Sequence, residues 1–542
     1  MTRNPSIRTY EPPGPGTWEQ DATHCPRPLT PFMFETFREA FPKGFREGTA
    51  RYGLLFSHLE PATVNGFLYY RPTMVDPSDE QEIGRRFEAA RTALESRLWL
   101  KDLERWDTEY KPDSIRRNRE LETAPIREMD REAFIAHLTA AKDNAAEMIY
   151  RHHIFTIPAI LATGLYLAYA TEWTGLDAGA IMAPLKGSSK VSLGAHDELA
   201  AVAAALSETG VGPKDYSGLS AQETLDALLS RQDRLGSAVR TYIQAVGFRL
   251  AGGYDVADPC VIEMPEMLVG AIWASTSQRT PSGTEEAAAR VREAVPDRHR
   301  SRFDEFLSDA RQVNRLRDER GIHNDIWGTG IARRAVLEAG RRLAGAGRIE
   351  TSENAIDATF AEQVAMLRGS GGPAKEELQE RTLWRRTAPL TEAPPFLGVP
   401  PAPPPPLDGL PPHVAEAMRA LGAAMGELFM PAPEAPGTTI AGKPVSPGVY
   451  TGDARLVKHP EEFKRLTKGD VLVTTSTSAA FNVVLPLLGA IVTDRGGQLS
   501  HAAIVAREYG IPAVVGTLKA TSVIPDGARI RVDGNSGRVE VL

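Results

Sequence analysis

The sequence predicts a multidomain chain that is largely α-helical over most of its length and ends in a smaller unit of mixed strands and helix. Three observations predict it. Length is the first: 542 residues exceed what a single core normally serves and argue for two to four domains. Periodicity is the second. From about Pro125 to Gly347, apolar residues recur at helical spacing, as in REAFIAHLTAAKDNAAEMIYRHHIF, HDELAAVAAALSETG and RRAVLEAGRRLAGAG. The third is a break: TEAPPFLGVPPAPPPPLDGLPP, Thr391 to Pro412, is proline-dense and reads as a stiff, extended spacer.

The elements follow in order. Ahead of the helical region, GTWEQDATHCPRPLTPFMFETFREAF and RYGLLFSHLEPATVNGFLYYRP read as irregular segments and short strands lying on its surface. The uncharged run IFTIPAILATGLYLAYAT, Ile154 to Thr171, is about long enough to cross a bilayer, but Pro158, Gly164, three threonines and two tyrosines mark it as a buried core helix. After the spacer comes a helix, HVAEAMRALGAAMGELF, then a second break, MPAPEAPGTT. These cues divide the chain into a mainly helical domain at 1–390, a proline-rich linker with one helix at 391–438, and a C-terminal domain at 439–542. Within the last, LGAIVTD reads as a buried strand, RGGQL as a tight loop, and SHAAIVAREYG as a helix with Ser500 as N-cap and Gly510 as its stop before Pro512.

Composition excludes several classes of function. With 42% hydrophobic and 24% charged residues the chain is an ordinary folded protein. A net charge of −8 and a pI near 5.9 provide no basic field for nucleic acid or an anionic membrane, so neither is expected as a partner. The two cysteines, Cys25 and Cys260, lie far apart without metal-ligand spacing, which fits a reducing cytoplasm. The first residues carry no apolar core of a signal peptide, and a cytoplasmic location is expected.

His501 follows the N-cap directly, at the positive end of a helix where unpaired backbone N–H groups favour a phosphoryl anion. Three ordered blocks surround it: GKPVSPGVYTGDARLV, GDVLVTTSTSAAFNVVLPLLGAIVTDRGGQLSHAAIVAREYGIPAVVG and IPDGARIRVDGNSGRVEVL. Together they resemble the phosphohistidine swivelling domain, or PEP-utilising enzyme mobile domain, of pyruvate phosphate dikinase, PEP synthase and the rifampicin phosphotransferases. The resemblance implies a β/β/α swivelling fold and a phosphorylated histidine at His501. Thr493, Gly496, Gly497 and Ser500 match the family's phosphoryl-binding loop, and Arg507 and Glu508 match the helix that follows.

The stretches GTWEQDATHCPRPLTPF, VNGFLYYRP and RLRDERGIHNDIWGTGIARRAVLEAGRRL resemble the helical acceptor-binding domain of rifampicin phosphotransferase and of related proteins that phosphorylate phenolic compounds. No segment resembles an ATP-grasp domain. The one G-x-x-x-x-G-K match, GTTIAGK, is followed by Pro444 instead of Ser or Thr and is a chance match. The resemblance therefore implies a relay split over two polypeptides, as in phenylphosphate synthase. A separate ATP-grasp subunit would bind Mg-ATP and load His501, with AMP and phosphate as products. The histidine would then pass its phosphoryl group to the hydroxyl of a small aromatic acceptor such as phenol or 4-hydroxyacetophenone. No cofactor or metal is expected in this chain itself. Two alternatives stay open: a component acting on a rifamycin-type antibiotic, and a non-enzymatic phosphocarrier or regulatory protein.

Residue chemistry supplies candidates for the acceptor site. In RQVNRLRDERGIHNDIW, Arg317 and Arg320 stand three apart on one helix face, placed to hold phosphoryl oxygens, with His323 and Asp325 beyond them as base and orienting group. Such an Arg/Asp/Glu-rich helix end is also the usual composition of a solvated salt-bridge network. His24, with Arg27 nearby, is the next candidate base. His152 and His153 read as a helix-start pair, and Trp18, Trp327, Phe67, Tyr69 and Tyr70 as aromatic residues able to line a pocket.

Overall fold

The structure, a computed structural model, describes residues 8–189, 196–275, 283–401, 403, 406–429, 440–458, 460–477, 481 and 484–542. The second break, at 430–439, and part of the proline run lie outside the described residues.

The N-terminal strands form one antiparallel sheet. Its members are β1 (Thr17–Gln20), β2 (Phe56–Val64), β3 (Phe67–Met74) and β4 (Phe396–Gly398), in the order β2-β3-β1-β4. Asn65 and Gly66 both take positive φ (52° and 88°) between β2 and β3, as a two-residue hairpin turn requires. Strand β4 falls inside the stretch read as a spacer. Its backbone pairs with β1, Trp18 opposite Leu397, and Leu397 is buried, so the first part of that stretch is tied to the N-terminal sheet.

The helical body is built around the helices Arg131–Ile154, Thr156–Thr174, Arg300–Val313 and Ile326–Gly345. An 18-residue window within Arg131–Thr174 has a mean hydropathy of 1.6 and is 78% buried inside the fold. This is the predicted core helix: Ile157 through Leu167 are buried without interruption. His152 and His153 are not a helix start. They occupy the last turn of Arg131–Ile154, and Phe155 (φ −92°, ψ 5°) breaks the chain before the next helix begins at Thr156. The end of a helix, with its partial negative charge, suits imidazole there.

The helix Pro412–Phe429 packs along the core helix Thr156–Thr174. The approach is close enough that a Cβ at Gly164 would sit 2.1 Å from the Ala420 carbonyl oxygen. This helix is therefore part of the helical body, held by apolar contact, and does not hang free between domains.

The C-terminal sheet comprises β5 (Ile440–Ala441), β6 (Lys443–Ser446), β7 (Val449–Leu456), β8 (Asp470–Thr474), β9 (Leu488–Thr493), β10 (Ala513–Val515), β11 (Arg529–Asp533) and β12 (Arg538–Val541). Their order is β5-β12-β11-β7-β8-β9-β10-β6, with β7 through β10 parallel and the outer pairings antiparallel. One continuous stretch, 440–446, supplies both outermost strands and divides at Gly442. Only glycine fits there, because a Cβ would lie 2.5 Å from the Val515 carbonyl oxygen. The sheet thus leaves neither edge open to a foreign strand. The helix His501–Tyr509 covers one face, and a single buried apolar cluster continues from Val445, Leu472, Ile491 and Val505 into Leu199, Val239, Leu268 and Ile272 of the helical body. The chain is thus a large helical body with a C-terminal mixed-sheet domain packed against it.

The tight helix crossing can be tested. Gly164→Ala should force Pro412–Phe429 off the core helix and destabilise the protein by about 1–3 kcal/mol. Thermal unfolding that matches wild type would show that the two helices do not approach this closely.

Candidate active site

The loop that presents His501 is shaped by two glycines with different tasks. Gly496 has φ +107°, which a side chain would strain, and a Cβ there would meet Ser500 Oγ at 2.8 Å. At Gly497 a Cβ would come within 2.4 Å of the Glu427 carbonyl oxygen, at the end of the helix Pro412–Phe429. Leu499 N–H donates to that same carbonyl at 3.0 Å, and Lys443 Nζ pairs with Glu427 Oε2 at 2.9 Å. Ser500 caps the helix by accepting from Ala503 N–H at 3.4 Å. Thr493 is buried at the end of β9, where its hydroxyl donates to the Arg495 carbonyl at 2.7 Å. Arg507 donates to the Gln498 side-chain and backbone oxygens at 3.1 and 2.6 Å, bracing the loop from behind. Glu508 accepts from Gly187 N–H of the helical body at 2.8 Å.

His501 Nδ1 lies 2.9 Å from Thr477 Oγ1, and the imidazole faces the helical body. Burial lowers its pKa to about 4, with the charge of Arg317 acting in the same direction and Asp318 acting against it. Arg317 donates to the Leu499 carbonyl, and its Nε and Nη1 are buried with no hydrogen-bond partner among the described residues. Asp318 accepts from Ser189 Oγ at 2.9 Å. Arg320 donates to Thr156 Oγ1 at 2.9 Å and to the His152 carbonyl at 3.2 Å. Burial lowers both guanidinium pKa values to about 10.

The N-terminal turn forms a second wall. Ser476 Oγ, next to Thr477, donates to the Thr23 carbonyl at 3.1 Å, which sets His24 beside the C-terminal domain. His24 Nδ1 is 3.0 Å from both oxygens of Asp21, and its ring meets Tyr254 edge-on at 5.6 Å. Burial alone would lower the His24 pKa, but the charge and hydrogen bond of Asp21, aided by Asp325, outweigh it and raise the imidazole above its ordinary range. Its side chain nevertheless keeps 41% of its surface exposed. The ring is thus reachable from solvent although Asp21 and Tyr254 flank it. His152 and Asp325 form the neighbouring pair, with Nδ1 and Oδ1 2.9 Å apart. Burial, then the charges of Arg320 and His24, hold His152 well below the usual imidazole range, and burial pushes Asp325 up to about 7.

The structure thus sets Arg317 beside His501 and joins Arg320, Asp325, His152 and His24 into one polar group next to Arg317, while two predicted residues lie elsewhere. His323 lies two positions before Asp325 in a π-helical turn, Gly321–Asp325, and so points to the opposite side, toward Arg249 and Lys111. Asp325 therefore orients His152, not His323. Arg27 donates to Asp258 at 2.8 Å and is engaged away from His501. Among the aromatic candidates, Trp18, Phe67 and Tyr69 belong to a separate core under the N-terminal sheet, and Trp327 Nε1 donates to Glu122 at 2.8 Å. Tyr70 alone adjoins this polar group, within reach of Asp21, Cys25 and Tyr254. Sequence reasoning missed Thr477, Asp318, Asp21 and the role of His152. The Asp21 to His24 spacing of three was a usable signal; the others are set by contacts distant in the chain. No group of three or more metal-ligating side chains occurs among the described residues.

The depressed pKa of His501 links docking to pH. Released into solvent, His501 would regain the ordinary imidazole value of about 6.5. Because the docked value is the lower one, the docked state is fully favoured above that range and loses stability as pH falls toward about 4. Energy transfer between dyes on the two domains should fall on acidification, and His501→Gln should flatten the response. An equal response in that variant would show that another group controls docking.

The model of the PEP-utilising enzyme mobile domain matches residues 466–537. The chain is 28% identical over 314 residues to an uncharacterized phosphotransferase, YvkC, of Bacillus subtilis, covering 56% of this chain and 36% of that one. It is 29% identical over 324 residues to a rifampicin phosphotransferase of Streptomyces sviceus, covering 56% and 34%. A third match, 27% identical over 560 residues, covers 97% of this chain but 14% of chondramide synthase cmdD of Chondromyces crocatus. The chain therefore spans about a third or less of the length of these relatives. The segment that carries His501 thus matches the PEP-utilising enzyme mobile domain, and the relatives that share it include phosphotransferases.

Proposed function

We propose that this chain is the acceptor and phosphohistidine component of a two-part phosphotransferase. A separate ATP-grasp subunit, holding Mg-ATP, loads His501, and the docked domain hands the phosphoryl group to the hydroxyl of a small aromatic acceptor. The observation that supports this most is the seat of His501: a helix start, its Nδ1 engaged by Thr477, beside Arg317, which Arg320 connects to His24, His152 and Asp325. A phosphocarrier alone has no need of such a second wall.

The chemistry demanded of the protein is modest. With Nδ1 engaged by Thr477, Nε2 is the ring nitrogen assigned to the phosphoryl group. Arg317, with two buried nitrogens lacking partners, supplies donors for its oxygens as charge redistributes in transfer. Tyr70 and Tyr254 provide aromatic surface for a ring-bearing acceptor beside these polar groups.

A rifamycin-type acceptor is a second reading. The alignments with the Streptomyces sviceus rifampicin phosphotransferase extend over 324 residues, well beyond the mobile domain and into the helical body. Incubation of the phosphorylated chain with rifampicin and, separately, with 4-hydroxyacetophenone distinguishes the two by which compound gains phosphate.

Two outcomes test the relay. Purified with Mg-ATP alone, the chain should form no AMP, and addition of a matched ATP-grasp subunit should label a single histidine from β-labelled ATP; self-labelling would overturn the division of labour. His501→Ala should abolish acceptor phosphorylation entirely. His323→Ala, on the side away from Asp325, should slow transfer by less than about tenfold, short of the hundredfold or more expected for loss of a general base. Retained activity in His501→Ala would end the proposal.

A further inference from the structure

Two histidine–aspartate pairs belong to the polar group next to Arg317, and only one can serve the acceptor's hydroxyl as base. They come from unrelated parts of the chain. Asp21 holds His24 from within the N-terminal turn, through both carboxylate oxygens and a further bond from His24 N–H to Oδ1 at 2.9 Å. Asp325 holds His152 across the fold at 2.9 Å. The π-helical turn Gly321–Asp325 makes the second pairing possible, since it carries the Asp325 carboxylate to the last turn of Arg131–Ile154. Such turns recur at functional sites. A Cβ at Gly321 would lie at ordinary contact distance, 3.8 Å, from both His152 Cε1 and Asp325 Oδ1, which sets the start of this turn directly beside the pair.

We propose that His152, positioned by Asp325, is the catalytic base that takes the acceptor's hydroxyl proton, while His24, positioned by Asp21, remains a cation and faces the transferred phosphoryl group. This inference rests on the relay proposed above. A base must be neutral at working pH and able to accept. Around His152 stand Asp325 and Arg320 from one segment, His24 from the N-terminal turn and His153 on its own helix. Burial and the nearby cations keep its ring neutral, and Asp325 on Nδ1 makes Nε2 the nitrogen that accepts the proton. Around His24, Asp21 and Asp325 outweigh Arg320 and favour the imidazolium. Environments that drive two like groups apart assign them opposite roles.

The step balances. The acceptor O–H proton passes to His152 Nε2 as the oxygen lone pair forms the O–P bond. The P–N bond to His501 breaks, its electron pair returns to the ring nitrogen, and that nitrogen takes up one proton from solvent, which replaces the one His152 gives back. The acceptor becomes an aryl phosphate, His501 returns to neutral imidazole, and His152 releases its proton to solvent.

The test uses the full chain, phosphorylated on His501 with potassium phosphoramidate and then given 4-hydroxyacetophenone, with discharge followed by phosphorus NMR across pH. His152→Gln and Asp325→Asn should load as wild type does and discharge about a hundredfold more slowly. His152→Gln should also lose the acid limb of the pH–rate profile, whereas His24→Gln should be slow but keep it. Discharge of His152→Gln at the wild-type rate, or loss of the acid limb in His24→Gln instead, overturns the assignment. Nitrogen NMR of the imidazoles tests it independently of the acceptor: at neutral pH His152 should be neutral with its proton on Nδ1, and His24 doubly protonated. A protonated His152 at neutral pH would sink the proposal. Failure of the wild-type phosphoenzyme to discharge to any phenol would count against the acceptor class alone, and the NMR result would still judge His152.

Discussion

Burial of one uncharged imidazole organises this molecule. His501 sits at a helix start that would ordinarily be wet, and its seat half-buries it by packing the presenting loop on the last turn of Pro412–Phe429 and against Arg317. Burial is the largest influence on its ionisation, ahead of either neighbouring charge. That ordering matters for chemistry, because in a site shielded from solvent each remaining donor acts more strongly on a transferring phosphoryl group. The same burial makes the seat costly for an imidazolium.

The seat depends on the rigidity of its platform. Arg317 and Asp318 are held in the segment that ends in the π-helical turn, and that segment leans on the core helices through Arg320, which bonds both sides of the Phe155 break. Glu427 is fixed because its helix lies so close along the core helix that Gly164 has no room for a side chain. The apolar cluster shared by the two domains adds a non-directional attraction to these polar contacts. Any movement of the C-terminal domain would have to break this apolar contact.

Much of this was legible in the residues. The helical body, the core helix with its Pro158 and Gly164, the strand before the glycine loop, the Ser500 cap and the position of His501 all follow from local pattern: periodicity, capping chemistry and turn residues act over a few positions. The cluster of Arg317, Arg320 and Asp325 was legible as chemistry for the same reason. The partner of Asp325 was not. Two positions apart on any helix, His323 and Asp325 point to nearly opposite sides, and the residue that Asp325 does hold, His152, lies more than 170 positions away in the chain. Local pattern also set His152 and His153 at the start of a helix, because nothing in the adjacent residues announces the break at Phe155.

By itself, then, the sequence determined the periodic helices of the body, the strand before the glycine loop and which histidine follows the Ser500 cap, since each rests on interactions between near neighbours. Only the tertiary structure decided what surrounds that histidine. Thr477, Arg317, Asp318 and the pairs His24–Asp21 and His152–Asp325 come from four separate regions of the chain. Their meeting depends on how helices pack and how the C-terminal sheet docks. Ionisation is decided at the same level, because the three histidines differ in burial and in the charges nearby, and neither quantity exists until the chain is folded.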